Sequence, residues 1–387
     1  MKKKLVAVVS VVVAVFCGSL TVALAEAKGA PAAPAEGTRT YSAMVYVAGH
    51  GGHFAKADVV IDPSDAESPL KVKSLDRVEI GTTESHKTHD ARVDGKTLFW
   101  STYALDKEGK LHVGKSDLGS GKVVKDVALT PDERAPAKTG PAYCASGQTR
   151  KSFMPVFMGN EGYVDVFDKK TMRLRHRVFI STLGYEPGTY QFVHGTNSND
   201  MKRFLVTVVL KGDDGKMNGK QDLVMVDMAA LERGKFKQIA KATLAGEPGK
   251  TITFRQYFTK DDKLVYQSAG DRMWVLDSAT LKLVDEKMTK PTGENHDAMP
   301  TPDGKYALLT LRTADTQAVD DKGAAIADKK ITDGALMLYD ATARTLVGKP
   351  VSVCFACHKD AGVGDKTSVL CGLDAKFAGA TSARGTK

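Results

Sequence analysis

The feature that most limits what this chain can become is a repeat. An apolar β-type run ends in aspartate, passes through a short polar turn and continues as another β-type run, at residues 59–62, 112–117, 164–168, 223–227, 273–277 and 336–340. The closing residues Asp62, Asp117, Asp168, Asp227, Asp277 and Asp340 stand 55, 51, 59, 50 and 63 residues apart. Ahead of several copies lies a hairpin signal, such as Asp94-Gly95-Lys96 or Asp303-Gly304-Lys305, before a strand rich in aromatic and branched residues. A period of this length built from four short strands is that of a propeller blade. One such blade cannot bury both its faces, so blades stack around an axis until the ring closes and most sheet edges are covered. The sequence therefore predicts an all-β propeller of six to seven four-stranded blades over residues 41–348, with residues 349–387 as a short C-terminal segment. A seventh blade would come from the N-terminal strands and residues 345–387; a β-sandwich, with shorter and less regular repeats, is the alternative.

Residues 1–25 read as an export signal: Lys2, Lys3 and Lys4, an apolar stretch from Leu5 to about Val22, and the small residues Ala23 and Ala25 before the expected cleavage point. A retained membrane anchor is the other reading of that stretch, which is close to the ~20 residues a spanning helix needs. A lipidated Cys17 fits less well, because the bulky Phe16 precedes it. Residues 26–40 are small and Pro-rich, a flexible leader. No second long apolar run follows, so no stable membrane span is expected after cleavage, and the location expected is the periplasm or the cell surface. Loss of the signal takes the formal charge from +9 to +6, a weak bias toward acidic partners. The lysines are scattered through hairpin turns, and with export this argues against nucleic acid as a partner.

Near the carboxyl end stands Cys354-Phe355-Ala356-Cys357-His358, the Cys-x-x-Cys-His attachment sequence of haem c. Two thiols so spaced can add to the two haem vinyl groups, and His358 then serves as proximal iron ligand. A thioredoxin-like pair would want a βαβ context, and half a zinc site would want another close Cys or His pair; Cys371 keeps a site of three cysteines and one histidine open. The 29 residues after His358 contain neither His nor Met, so a distal ligand comes from the propeller or from another molecule, or the second face of the iron stays open to a small ligand. Cys144 and Cys371 are the remaining cysteines of the exported chain, and an oxidising compartment permits a disulfide between them.

The strand-Asp-x-x-Thr cadence with its Asp-Gly-Lys hairpins resembles the YVTN-type propellers and the haem propeller domain of periplasmic nitrite reductases, over roughly residues 41–345. The likeness is one of fold and does not by itself transfer an activity. Counting back seven to nine residues from Lys96, Lys151, Lys202, Lys263 and Lys305 gives His89, Cys144, His194, Arg255 and His296, which this register sets on the innermost strands around the axis. His86 lies three residues before His89, and His50 and His53 occupy a glycine-rich loop. Imidazole and thiolate together suit copper, haem iron or zinc. The families resembled do hold a second haem or a copper cluster on propeller histidines. This sequence departs from the copper-cluster nitrous oxide reductases in having no adjacent His-His pair and no cupredoxin domain. The plainer reading is that each histidine bonds a neighbouring backbone group or carboxylate, Asp90 beside His89 or Asp297 beside His296.

Two functions are in play. One is a monohaem c-type cytochrome, its propeller a docking platform, passing electrons to redox partner proteins such as other cytochromes. The other is a periplasmic oxidoreductase acting on a small molecule, in which haem c feeds a second metal or haem in the channel, with His89, His194, His296 and Cys144 as ligands or proton donors and Arg255 holding an anion. A binding or scaffolding propeller with a structural haem is the non-catalytic alternative. His296, His89, His53 and His50, then Met299, Met154, Met158 and Met172, are the candidates for the distal position.

Overall fold

The computed structural model describes residues 39–135, 142–159, 161–289, 293–312, 316–319, 324–331, 335–353 and 371–378. Cys354, Cys357 and His358, with residues 1–38, lie outside them. The chain forms six four-stranded antiparallel sheets, the blades of a β-propeller. Blade one takes β1 (Tyr41–Ala48), β2 (His53–Ile61) and β3 (Leu70–Glu79); blade two, β4 (Thr88–Asp94), β5 (Thr97–Thr102), β6 (Leu111–Asp117) and β7 (Val123–Leu129). Blade three holds β8 (Ala142–Gln148), β9 (Ser152–Met158), β10 (Tyr163–Asp168) and β11 (Leu174–Phe179). Blade four holds β12 (Tyr190–Asn197), β13 (Arg203–Lys211), β14 (Met217–Asp227) and β15 (Gln238–Ala245). Blade five holds β16 (Gln256–Phe258), β17 (Leu264–Ser268), β18 (Arg272–Asp277) and β19 (Leu283–Met288). In blade six, β20 (Glu294–Pro300) and β21 (Tyr306–Arg312) are followed by an inserted hairpin, β22 (Thr316–Val319) and β23 (Ala325–Ile331), before β24 (Ala335–Asp340) and β25 (Thr345–Ser352).

The final strand, β26 (Cys371–Phe377), pairs with β1 and becomes the inner strand of blade one. The first strands of the blades meet in a ring, β26 against β4, then β8, β12, β16, β20 and back to β26, so the circle is closed by the two ends of the propeller's own chain. The repeat pattern predicts a propeller that ends at residue 348 and allows a seventh blade. The ring has six blades, β25 runs to Ser352, and the C-terminal strand fills the first blade. In chain order the Cys-x-x-Cys-His sequence falls between β25 of blade six and β26 of blade one.

The repeat has a local cause. Each closing aspartate ends the third strand of a blade, where its carboxylate accepts the amides of the turn that follows. Asp117 accepts from the Ser120 amide at 2.7 Å, Asp168 from Thr171 at 2.8 Å and Asp277 from Thr280 at 2.8 Å, with the Ser or Thr hydroxyl on the same oxygen. Asp62 and Asp340 cap their turns similarly, and Asp227 caps the one-turn helix α1 (Met228–Glu232) through the Ala230 amide. The Asp-Gly hairpins turn through the left-handed region, with Gly95 at φ 56° and Gly304 at φ 70°.

Apolar strand faces pack between neighbouring blades. Val45, Val59, Ile61 and Leu373 of blade one meet Leu308, Leu336 and Leu338 of blade six, while Val164 and Val166 meet Val206 and Val224 across the third interface. Each fully buried side chain of this kind contributes about 1.5–3 kcal/mol. Gly372 at φ 68° lets β26 close on blade two: a Cβ there would lie 2.2 Å from the His89 carbonyl oxygen. No helix among the described residues is long and apolar enough to cross a membrane.

Candidate metal centre at the propeller axis

Because each inner strand runs along the axis, one residue from each blade reaches the same level of the channel. His89, Cys144, His194, Arg255, His296 and Cys371 are all buried, from blades two, three, four, five, six and one. Five of them are the residues given by the sequence register; Cys371 completes the circle. Cys144 Sγ lies 2.8 Å from His194 Nε2 and 3.7 Å from His89 Nε2. Ligand atoms of His89, Cys144 and His296 fall within 4.8 Å of one another, as do those of His50, His89 and Cys371. Cys144 and Cys371 are free thiols, so the permitted disulfide is absent.

A cavity of about 180 Å³ opens at this level, walled by His50, His89, Cys144, His194 and His296, with Tyr103, Met158, Phe192 and Phe254 around them. His50 stands in the left-handed region at φ 59° on the loop between β1 and β2, stacks on Tyr103 at 4.4 Å and meets the His89 ring at 5.2 Å. Phe254 stacks on His296 at 4.4 Å. His53 is the first residue of β2 and does not line the cavity. Of the methionine candidates, Met158 lines it; Met154 and Met172 are core residues, and Met299 faces a pocket at the other end of the ring with Asp374 and Phe377.

Electrostatics beneath the cavity are fixed by a buried ion network. The Arg255 guanidinium bonds to the Asp90 carboxylate and donates to the His89 carbonyl at 2.8 Å, with Nε 3.5 Å from Asp297. It is therefore occupied by carboxylates, and the anion-holding role expected of it has no open guanidinium to use. Asp297 also accepts from Tyr257 at 2.7 Å and Thr310 at 2.6 Å, and meets His296 Nδ1 at 3.2 Å. Burial raises the Asp297 pKa, but His296 and Arg255 outweigh it and hold the group down at about 2.

Burial pushes His89 and His194 well below the ordinary histidine range, reinforced by neighbouring imidazoles and Arg255. Burial also lowers His296, against the pull of Asp297, and pushes the Cys144 thiol up to about 12. Free of metal, the site thus presents neutral imidazoles and a protonated thiol, and a cation that binds the sulfur displaces its proton.

The plainer reading holds for His296, whose Nδ1 meets Asp297. It does not hold for His89 or His194: Asp90 is taken by Arg255, and the Nδ1 atoms of both rings are buried without a hydrogen-bond partner among the described residues.

No family model matches the chain, and no curated protein matches it. A solved chain described as "Crystal Structure of Mitotic Checkpoint Complex" is similar over 79% of this chain and 87% of its own, at 12% identity and a TM-score of 0.45. Nothing about activity or partners follows from that likeness.

His86 is not at the axis. It belongs to a separate cluster in blade two, where its Nε2 is 3.0 Å from Asp126, and His112 Nδ1 is 3.0 Å from the same carboxylate while its Nε2 is 3.1 Å from Asp106. Both His112 nitrogens are satisfied, the mark of a structural histidine. Its pKa is raised above 6.5 by Asp126 first and Asp106 next, while Asp126 is held low by His112 and His86 against its burial. The His112 contribution to stability is complete below the unfolded value of 6.5 and is lost as pH rises through the higher folded value. That of Asp126 is lost only as pH falls below the ordinary carboxylate range. His89, His194 and His296, held neutral by burial, contribute the opposite slope over this range, so His112 is read by difference: the urea midpoint of native protein relative to His112→Gln should fall from about pH 6 to pH 8. An unchanged slope in the variant would refute the assignment.

Proposed function

We propose that this chain is an exported monohaem c-type redox protein, with Cys354 and Cys357 as thioether anchors, His358 as proximal ligand, and electron transfer to other cytochromes in the periplasm or at the cell surface as its task. The observation that carries this reading, beyond the motif itself, is where its connection begins and ends. Ser352 pairs with Ala335, which pairs with Leu311 beside Arg312 at the cavity mouth; Cys371 pairs with Ala48, next to the His50 loop. The described residues that bracket the motif in the chain, Ser352 and Cys371, both stand on the face of the ring on which the histidine cavity opens, which supports a haem seated there. Haem iron supplies one-electron exchange. Of the histidines on that face, His50 is the least buried and best placed to serve as distal ligand, with Tyr103 and Phe192 shielding it.

The test is a haem stain on denatured protein together with oxidised and reduced visible spectra of protein matured with a working haem-ligation system. A single covalent haem is expected, lost in Cys354→Ser/Cys357→Ser. His50→Ala should convert a low-spin spectrum toward high-spin. Colourless protein in which Cys354 and Cys357 titrate as free thiols would end the reading. The convergence of His89, Cys144, His194 and His296 on one cavity favours the second reading as well, an oxidoreductase whose channel holds a metal centre acting with the haem.

A further inference from the structure

We infer that the channel binds a single copper ion through His89, Cys144 and His296, with the Met158 thioether beside it and His194 hydrogen-bonded to the cysteine sulfur. This deepens the second reading, and its test does not depend on the haem.

Distances sort the residues into roles. With bonds of about 2.3 Å to sulfur and 2.0 Å to nitrogen, two ligands of one first-row ion at 110–120° stand about 3.5–3.8 Å apart. Cys144 Sγ and His89 Nε2, at 3.7 Å, match that separation, whereas 2.8 Å between Cys144 and His194 is a hydrogen bond and too short for a ligand pair. His296 joins the triad with its Nδ1 engaged by Asp297, which orients the ring and leaves Nε2 for the ion. Cys371, which shares His89 in the other triad, does not line the cavity and packs with Phe54 and Trp100.

Donor chemistry selects the ion. Two imidazoles and one thiolate, with a thioether to one side, are the ligands of copper that changes oxidation state, whereas zinc asks for a closed tetrahedron. Met158 lines the cavity and packs against Cys144. Charge agrees: a divalent ion with one thiolate carries +1, and Arg255 with Asp90 and Asp297 beneath it carries −1. In a site this buried, that neutrality removes most of the cost of holding an ion.

The experiment is metal analysis of the exported full-length protein, with paramagnetic resonance and X-ray absorption at the copper edge. About one equivalent of copper is expected, with one sulfur at ~2.3 Å and imidazole nitrogens at ~2.0 Å. Cys354→Ser/Cys357→Ser should keep the copper while losing the haem, and in that haem-free variant a thiolate-to-copper charge-transfer band becomes visible. Cys144→Ser and His89→Gln should lose the copper while keeping haem. His194→Gln should keep it with about 10–100-fold weaker affinity and a shifted charge-transfer band. Should Cys144→Ser not fold, the sulfur shell of the native protein decides instead. Zinc in place of copper, absence of any metal, copper that survives Cys144→Ser, or a copper edge without sulfur would each overturn the assignment.

Discussion

Deleting residues 371–387 is expected to abolish the single cooperative unfolding transition of the propeller and to leave an aggregating product. The deletion keeps the Cys-x-x-Cys-His motif, so it tests the ring and not the proposed haem attachment. β26 supplies a whole inner strand: it pairs with β1 along Ala43 to Ala48 and contacts both β4 and β20. Without it β1 presents an unpaired apolar edge, the arrangement that most invites intermolecular pairing. Leu373 is fully buried between blades one and six, and Leu373→Ala alone should cost about 2–5 kcal/mol. Its carbonyl accepts from Tyr257 at 2.5 Å, and Asp374 accepts from the Val93 amide at 2.6 Å, so the strand also pins blades five and two. Each such bond adds about 1 kcal/mol net, and more where its loss leaves a buried group unsatisfied. Calorimetry and light scattering provide the readout. A truncated chain that melts in one sharp transition near the native temperature would show that the ring does not depend on this closure.

The closing strand also marks where the sequence stops being legible. Six aspartates announce six blades because each solves a local problem, the capping of a tight turn within three residues of its own backbone. β26 carries no closing aspartate of the repeat; its partner lies more than three hundred residues away, and Cys371 to Phe377 alternates too weakly to reveal a strand. The channel residues were readable for the same reason as the blades. Once His89, Cys144, His194, Arg255 and His296 share one register relative to the hairpins, closure of the ring brings them to one level. Cys371 falls outside that register, because only closure of the ring puts it on an inner strand. His86 misled in the opposite way: it is near His89 in sequence, but sits outside β4 and turns toward Asp126 in the outer strand β7. Met299 shares β20 with His296, yet three residues of extended strand carry it toward the far end of the ring. The aspect of the site that no pattern could supply is the pairing of charges, since Arg255 finds Asp90 across the channel only in the folded chain.

That pairing makes Arg255→Met the most damaging single substitution expected at the axis, at about 3–5 kcal/mol. Arg255, Asp90 and Asp297 are all fully buried. Asp297 keeps Tyr257, Thr310 and the Leu373 amide when the guanidinium goes, whereas Asp90 depends on Arg255 and its Oδ2 has no hydrogen-bond partner among the described residues. The loss should therefore fall chiefly on Asp90, and Arg255→Met/Asp90→Asn should recover more stability than Arg255→Met/Asp297→Asn. Arg255→Lys keeps the charge but not the fork that reaches a carboxylate and the His89 carbonyl together, so it should fall between native and Met. Urea unfolding of the four variants beside the native protein distinguishes the cases. Equal stability of Arg255→Met and native protein would mean that the channel floor carries no net buried ion pair, and the neutrality argument for a cation above it would fall as well. A large loss rescued by Asp90→Asn would show instead that the ring keeps a charged floor under its histidines, an arrangement with little structural benefit over apolar packing unless something positive binds above it.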